Sequence, residues 1–217
     1  PETTYEDKGI VQIGGRKVYN YDERVYGEKT MTEVLQFSIN TGAVFAEQKL
    51  GHKAFLRYID DFGIFRPTRI DLAGEIFSEN KEFRKGYEIN YATASFGQGI
   101  QMTPIQLVRA FSVLANQGVM AEPYIIDRFV NEKGLPHEPL KENSAKRVIT
   151  KKTADDITSM LVSVTEEGFA KAARVPGYYI AGKTGTAQMS WSAIGVPKAG
   201  YSDKTIQSFI GYAPAYD

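Results

Sequence analysis

The sequence predicts an α+β fold in which helices pack on an antiparallel sheet. Three observations carry this. Amphipathic stretches with recognisable caps occupy residues 30–62, 103–117 and 153–167. Short β-type runs sit near the N-terminus and again over 177–186 and 205–213. The order, mostly helices first and a strand pair last, lacks the βα alternation of a parallel sheet. At 217 residues and 42% hydrophobic, the chain can build a core of its own as one domain or one lobe of a larger one.

The elements follow from local signals. GIVQIGGRKVYN has two short β-type runs flanking Gly14-Gly15, a hairpin pattern. Thr30 and Glu33 form a T-x-x-E capping box, with Met31, Val34 and Leu35 as the apolar face of the helix that follows. Ser38-Ile39-Asn40-Thr41 interrupts that helix with residues that favour caps over helix interiors. A second helix is expected from about Thr41 to Leu50, stopped by Gly51. HKAFLRYIDDFG gives a third, with Phe55, Tyr58, Ile59 and Phe62 on one face and Gly63 at its end. Residues 64–100 read as loop-rich, with Gly97-Gln98-Gly99 a structural turn. The clearest helix follows: Thr103 as N-cap, Pro104 at the first position, Gln106 completing the box, and apolar residues continuing toward Gly118. YIIDRFV reads as a strand and NEKGLPHEP as turn and loop. A helix from about Thr153 to Glu167 ends at Gly168. Gly177–Thr186 and Thr205–Ala213 are strand-like, separated by a loop over Met189–Lys204.

Composition excludes several classes. Lys plus Arg and Asp plus Glu each number 26, so no basic excess points to nucleic acid. With no Cys there is no disulfide, thiolate nucleophile or Cys-based metal site. The two His, His52 and His137, lie far apart, His137 in a predicted loop, which speaks against a His metal site or a Ser-His-Asp triad. No metal or cofactor is expected. No apolar run has the length of a membrane span.

The stretch GYYIAGKTGTAQ, Gly177–Gln188, is informative. Gly177, Gly182, Lys183 and Thr184 match the phosphate-binding pattern G-x-x-x-x-G-K-[ST]. The context does not fit. A P-loop needs a strand, a flexible turn and then a helix whose N–H groups face the phosphates. Here Tyr178-Tyr179-Ile180 form strand rather than loop, and Gly185 follows where a helix should begin. The same letters suit an edge strand. Gly182 and Gly185 let another backbone approach, and Lys183 and Thr184 point to opposite faces. An extended ligand could add alongside such a strand.

Lys183-Thr184-Gly185 also stands downstream of Ser38-Ile39-Asn40, and these two motifs, in that order, resemble the transpeptidase domain of class B penicillin-binding proteins. The flanks resemble it too: VYNYDE, EVLQFSINTGAVFAEQKLG, RIDLAGE, ASFGQGIQMTPIQLVRAFSVLANQG, GKTGTAQ and SFIGYAPA. The style is that of the cell-division branch, and the resemblance runs from about Gly9 to Ala215. The family's first motif, S-x-x-K, does not precede Ser38. The one match, Ser78-Glu79-Asn80-Lys81, comes after it, beside Glu82, Arg84 and Lys85, and reads as a solvated surface run. The expectation is therefore a partial transpeptidase domain over 1–217, with the nucleophile helix upstream and a last strand and helix downstream.

The resemblance implies a peptidoglycan D,D-transpeptidase that forms a serine acyl-enzyme from D-Ala–D-Ala stem peptides and is acylated by β-lactams. It implies that Ser38 relays a proton to the leaving amine and that Asn40 binds a substrate amide. Lys183 supplies positive charge. Thr184 and Thr186 bind the substrate carboxylate, with Gly185 between them and the Thr186 N–H in the oxyanion hole. It implies work on the outer face of the bacterial cytoplasmic membrane, an N-terminal anchor outside this sequence, and division partners including a glycosyltransferase. Without the flanks, Ser38 and Asn40 are a helix-cap pair, Lys183 a solvated edge-strand lysine and the threonines ordinary strand residues. A β-lactam sensor or pseudoenzyme that keeps the pocket without turnover is the alternative. A β-lactamase or carboxypeptidase relative would need a water-activating residue that no motif assigns.

Overall fold

The computed structural model of the chain describes residues 1–81, 83–134, 136–137 and 145–216. In chain order its strands and α-helices are β1 (Thr4–Asp7), β2 (Ile10–Ile13), β3 (Arg16–Tyr19), β4 (Gly27–Thr30), α1 (Met31–Gln36), α2 (Asn40–Leu50), α3 (His52–Asp61), α4 (Glu88–Ser95), α5 (Pro104–Ala115), β5 (Val119–Met120), β6 (Phe129–Val130), β7 (Pro136–His137), β8 (Lys146–Arg147), α6 (Lys151–Glu166), β9 (Ala181–Ser190) and β10 (Tyr201–Tyr212). All described strand pairs are antiparallel, so the chain is α+β. The strands form separate two-stranded ladders rather than one broad sheet. The chain divides into two compact units: Pro1–Phe55, Asn80–Ile100 and Asp156–Asp217 in one, Leu56–Glu79 and Gln101–Asp155 in the other.

In the first unit the β2–β3 hairpin turns at Gly14 and Gly15, both left-handed at φ 51° and 79°. Glycine adopts two successive left-handed residues at little steric cost, and this turn matches the twist of the strands. The Thr30–Glu33 box closes α1 as expected. The Thr30 hydroxyl accepts from Glu33 N–H at 3.2 Å, and the Glu33 carboxylate accepts from Thr30 N–H at 2.9 Å. Ile13, Val18, Val44 and Ala92 form the buried cluster that packs the hairpin, α2 and α4 together.

Helix α4 lies in the stretch that reads as loop-rich. Its polar residues explain the misreading. Thr93 turns its hydroxyl back onto the Ile89 carbonyl at 2.9 Å, and Ser95 onto Ala92 at 2.7 Å. Such back-bonding residues weaken helix propensity, and burial of Ala92 against α2 overrides it. Strands β1 and β4 pair Thr4 with Thr30 and Asp7 with Gly27, and were not expected from sequence.

The closing hairpin also departs from expectation. Val175-Pro176-Gly177-Tyr178 is a tight turn, Tyr178 N–H donating to the Val175 carbonyl at 3.1 Å with Gly177 at φ 84°. The strand therefore begins at Ala181, not Gly177, and continues to Ser190. Strand β10 begins at Tyr201, so the expected loop shrinks to residues 191–200. Lys198 lies over the Trp191 ring at 4.9 Å, and Trp191 N–H donates to the Gly200 carbonyl at 3.1 Å. From α6, Thr165 donates to the Ile180 carbonyl at 2.6 Å and Thr158 meets the Tyr212 hydroxyl at 2.5 Å, tying the helix to β9 and β10.

In the second unit, α5 starts with Thr103 as cap and Pro104 in its first turn. Buried Gln106 completes the cap and donates to the carbonyls of Ile64 and Arg66 at 3.0 and 2.8 Å. Arg109 donates to Gly63 and Pro67 carbonyls at 3.0 and 3.3 Å. The expected YIIDRFV strand reduces to Phe129–Val130. The Asp71 carboxylate takes the N–H groups of Ile125 and Ile126 at 2.7 and 2.9 Å, which diverts them from a ladder. His137, expected in a loop, stands in β7 opposite Phe129; Leu135 and Glu138–Pro139 of the same expected loop lie outside the described residues.

Candidate active site

Ser38 sits in the tight turn between α1 and α2. Its φ of 52° is left-handed, uncommon for a residue with a β-carbon. The turn is held by backbone bonds from Phe37 N–H to Glu33, Ser38 N–H to Leu35 and Ile39 N–H to Val34, at 2.9, 3.3 and 3.0 Å. Ile39 is buried beneath it, while Ser38 is exposed. The end of α6 supports the turn from the side. Phe169 N–H donates to the Gln36 carbonyl at 3.0 Å, and Gln36 Nε2 donates to Glu167 at 3.2 Å. Phe37 lies between the rings of Tyr26 and Phe169, at 6.0 and 5.7 Å.

Asn40 opens α2, and its Nδ2 donates to the Tyr19 carbonyl at 3.0 Å. Behind it is a buried polar network. The Asp7 carboxylate accepts from Gly9 N–H, Asn20 Nδ2, Tyr26 N–H and the Thr41 hydroxyl at 2.9, 2.9, 2.8 and 2.6 Å. Asn20 Oδ1 in turn accepts Thr41 N–H at 3.1 Å, so a side chain from the end of β3 caps the otherwise unpaired first turn of α2. Burial raises the Asp7 pKa. The bonds from Thr41, Gly9, Tyr26 and Asn20 together outweigh it and hold the carboxyl below its usual value.

Lys183 lies on β9 opposite Ile210, with Thr184 opposite Phe209, Gly185 opposite Ser208 and Thr186 opposite Gln207. Its Nζ donates to Ser38 Oγ at 2.8 Å and to the Thr184 carbonyl at 3.0 Å. Burial pushes the Lys183 pKa down to about 8. A lysine so poised can carry charge near neutral pH and also exchange a proton with a bonded hydroxyl. The glycines flanking it are there for closeness to β10. A β-carbon at Gly182 would stand 2.4 Å from the Phe209 ring, and one at Gly185 would stand 2.6 Å from Ser208 Oγ. The three residues Gly182, Lys183 and Thr184 sit inside a continuous strand, not at a loop-to-helix junction, so the P-loop arrangement is absent.

Thus the structure brings Ser38 and Lys183 into direct contact, with Asn40 two residues from Ser38. Thr184, Gly185 and Thr186 continue the strand from Lys183. The side chains of Thr184 and Thr186 make no hydrogen bond among the described residues, and Thr186 is exposed. Ser78–Lys81 is not helical, Asn80 is left-handed at φ 52°, and Ser78 donates to Gln101 Oε1 at 3.3 Å. Ser78 and Lys81 therefore do not share a helix face as a nucleophile and its base one turn away would. Sequence reasoning missed Asp7, Asn20 and Thr41. Asn20 stands within the quoted VYNYDE flank, and Thr41 follows the S-x-N directly, but no spacing marks Asp7.

A family model described as the penicillin binding protein transpeptidase domain matches residues 1–217. Stage V sporulation protein D of Bacillus subtilis is 36% identical over 217 residues, covering 98% of this chain and 32% of that protein. The peptidoglycan D,D-transpeptidase FtsI homolog of Mesostigma viride is 32% identical, covering 97% of this chain and 38% of that protein. Among solved structures, penicillin binding protein 3 of Mycobacterium tuberculosis complexed with ampicillin superimposes with a TM-score of 0.87 at 29% identity, covering 99% of this chain and 48% of that one. The chain thus spans about a third of the length of the curated relatives it matches.

Proposed function

The chain belongs to the penicillin binding protein transpeptidase domain family, of the class B type, and from that premise we propose that it supplies two corners of the active site of a peptidoglycan D,D-transpeptidase. The observation that carries the reading is the 2.8 Å bond from Lys183 Nζ to Ser38 Oγ, which joins the S-x-N turn to the K-T-G strand.

The nucleophile is a serine outside these 217 residues. Its hydroxyl attacks the carbonyl of a D-Ala–D-Ala bond while the lysine of its own Ser-x-x-Lys takes the hydroxyl proton. The C–N bond breaks, the acyl group stays on the serine as an ester, and the terminal D-Ala leaves as an amine. That amine needs a proton as it departs, and Ser38, bonded to Lys183, delivers it. Asn40 holds a substrate amide, oriented by its own bond to Tyr19. Thr184 and Thr186 offer hydroxyls, free of partners within the described chain, to the substrate carboxylate beside the Lys183 charge. Gly185 keeps that strand close to Ser208, and the Thr186 N–H contributes to the oxyanion hole, where one donor is typically worth ~3 kcal/mol of barrier. An amine of a second stem peptide then attacks the ester, freeing the serine and completing the cross-link. β-Lactams enter by the same acylation, a reading supported by the relative solved with ampicillin. The whole protein works on the outer face of the cytoplasmic membrane, held by an N-terminal helix outside these residues, alongside division proteins and a glycosyltransferase. No helix among the described residues is long and apolar enough to cross a membrane.

Peptide mapping of the whole protein after incubation with benzylpenicillin tests this. The expected adduct is on a serine outside residues 1–217 that begins a Ser-x-x-Lys, formed more slowly in Ser38→Ala and Lys183→Ala. No adduct would point to a pseudoenzyme, and an adduct on Ser78 or Ser38 would overturn the assigned roles.

A further inference from the structure

A buried carboxylate without a cationic partner is costly to keep. Asp7 is 1% exposed, and it forms no ion pair among the described residues. It is kept ionised by four donors drawn from four different places: Gly9 beyond β1, Asn20 at the end of β3, Tyr26 before β4, and Thr41 in the first turn of α2. The side chain of Asn20 is fully used as well. Asn20 gives its second amide hydrogen to the Arg24 carbonyl at 3.0 Å, and its oxygen takes Thr41 N–H. A network satisfied to this degree fixes the geometry of whatever it holds.

What it holds is the start of α2. Thr41 receives both a backbone and a side-chain anchor there, Asn40 precedes it, and Ser38 precedes the helix in a left-handed conformation. Such a conformation in a non-glycine residue costs free energy and persists only where its surroundings over-determine it. One flank of the Ser38 turn is set by α1 and the Gln36–Phe169 bond. The other is set by Thr41. We propose that Asp7, acting through Asn20 and Thr41, is a positioning residue that holds Ser38 Oγ against Lys183 Nζ and sets the rate of acylation rather than ligand affinity. This rests on the function proposed above.

The test is pre-steady-state acylation of the whole protein by benzylpenicillin, resolving the first-order acylation constant from the dissociation constant of the initial complex, alongside thermal melting. Asp7→Asn replaces an acceptor for four donors with an amide that brings two hydrogens of its own. Thr41→Val removes one donor at nearly constant shape, and Thr41→Ser restores the hydroxyl. The expected result is an acylation constant lowered about ten- to a hundredfold in Asp7→Asn and Thr41→Val, measured well below their melting temperatures, because small misplacements of reacting groups cost that much. The dissociation constant should stay near that of the unaltered protein, and Thr41→Ser should recover the rate. Lowered melting temperatures with unchanged acylation would overturn the inference and leave Asp7 a stability residue. Should Asp7→Asn fail to fold, Thr41→Val against Thr41→Ser decides alone. Failure of the underlying function is read separately, as an unaltered protein that does not acylate or whose acylation is indifferent to Ser38→Ala.

Discussion

Lys183 Nζ and Ser38 Oγ lie 2.8 Å apart although 145 residues separate them in sequence. The pair joins the turn between α1 and α2 to the third residue of the ten-residue strand β9. The contact makes each of them chemical.

Burial of Lys183 predicts a specific pH dependence of stability. Its pKa is lowered from 10.5 to about 8 by burial. Below about pH 8 the lysine is protonated in both folded and unfolded chains, and folding bears the full cost of burying the charge. Between pH 8 and 10.5 the unfolded chain binds more protons, so this contribution to stability improves as pH rises. Relative to the unaltered protein, Lys183→Met should melt higher at pH 7 than its packing alone accounts for, and the difference should shrink as pH approaches 10.5. Melting curves of both proteins across that range check it; a constant difference would mean the lysine is not desolvated.

Gly168 should tolerate no side chain. A β-carbon there would stand 2.6 Å from the Gln36 carbonyl oxygen and 2.9 Å from Gln36 Cα, both backbone atoms that cannot swing away. Gly168→Ala should cost roughly 1–3 kcal/mol of stability and slow acylation by shifting the Ser38 turn. Gly51→Ala is the comparison. Gly51, at φ 85° and ψ 141°, is in a backbone region essentially confined to glycine, with nothing within 4 Å of an added β-carbon, so it should cost about 1–3 kcal/mol through backbone strain alone. Acylation should then keep its rate. Equal acylation rates in the two variants would mean that the end of α6 does not support the turn.

Much of the fold was legible because local chemistry and tertiary packing agree. Thr30–Glu33 and Thr103–Gln106 are complete capping boxes in both sequence and structure, and Gly14-Gly15 supplies the two left-handed residues that a tight hairpin turn needs. Legibility ended where a distant group decides the local outcome. Residues 124–127 read as strand from their own composition, but Asp71 claims two of their N–H groups. Helix α4 is locally weak and stabilised by what it packs on. The motifs pointed to Ser38, Asn40 and Lys183 as individual residues. The network around Asp7 was invisible because nothing in sequence spacing relates residues 7, 20 and 41.

Gln106 should matter more than its role as a cap partner implies. Thr103→Ala removes the N-cap oxygen and should cost ~1 kcal/mol. Gln106→Ala removes the reciprocal cap bond and also leaves the Ile64 and Arg66 carbonyls without their donor. Each buried group left unpaired costs about 1–3 kcal/mol, so Gln106→Ala should destabilise the protein by clearly more than Thr103→Ala. Denaturant unfolding of the two variants checks the order, and equal midpoints would place those carbonyls in contact with water.

The most direct measurement of the central claim is a double-mutant cycle on the second-order rate of acylation by benzylpenicillin, using the whole protein with Ser38→Ala, Lys183→Met and both together. If the two side chains form one proton-handling unit, each single change slows acylation about 10²- to 10⁴-fold, and the double variant is little slower than the worse single one. If the effects multiply, the 2.8 Å contact is incidental and the two residues act independently.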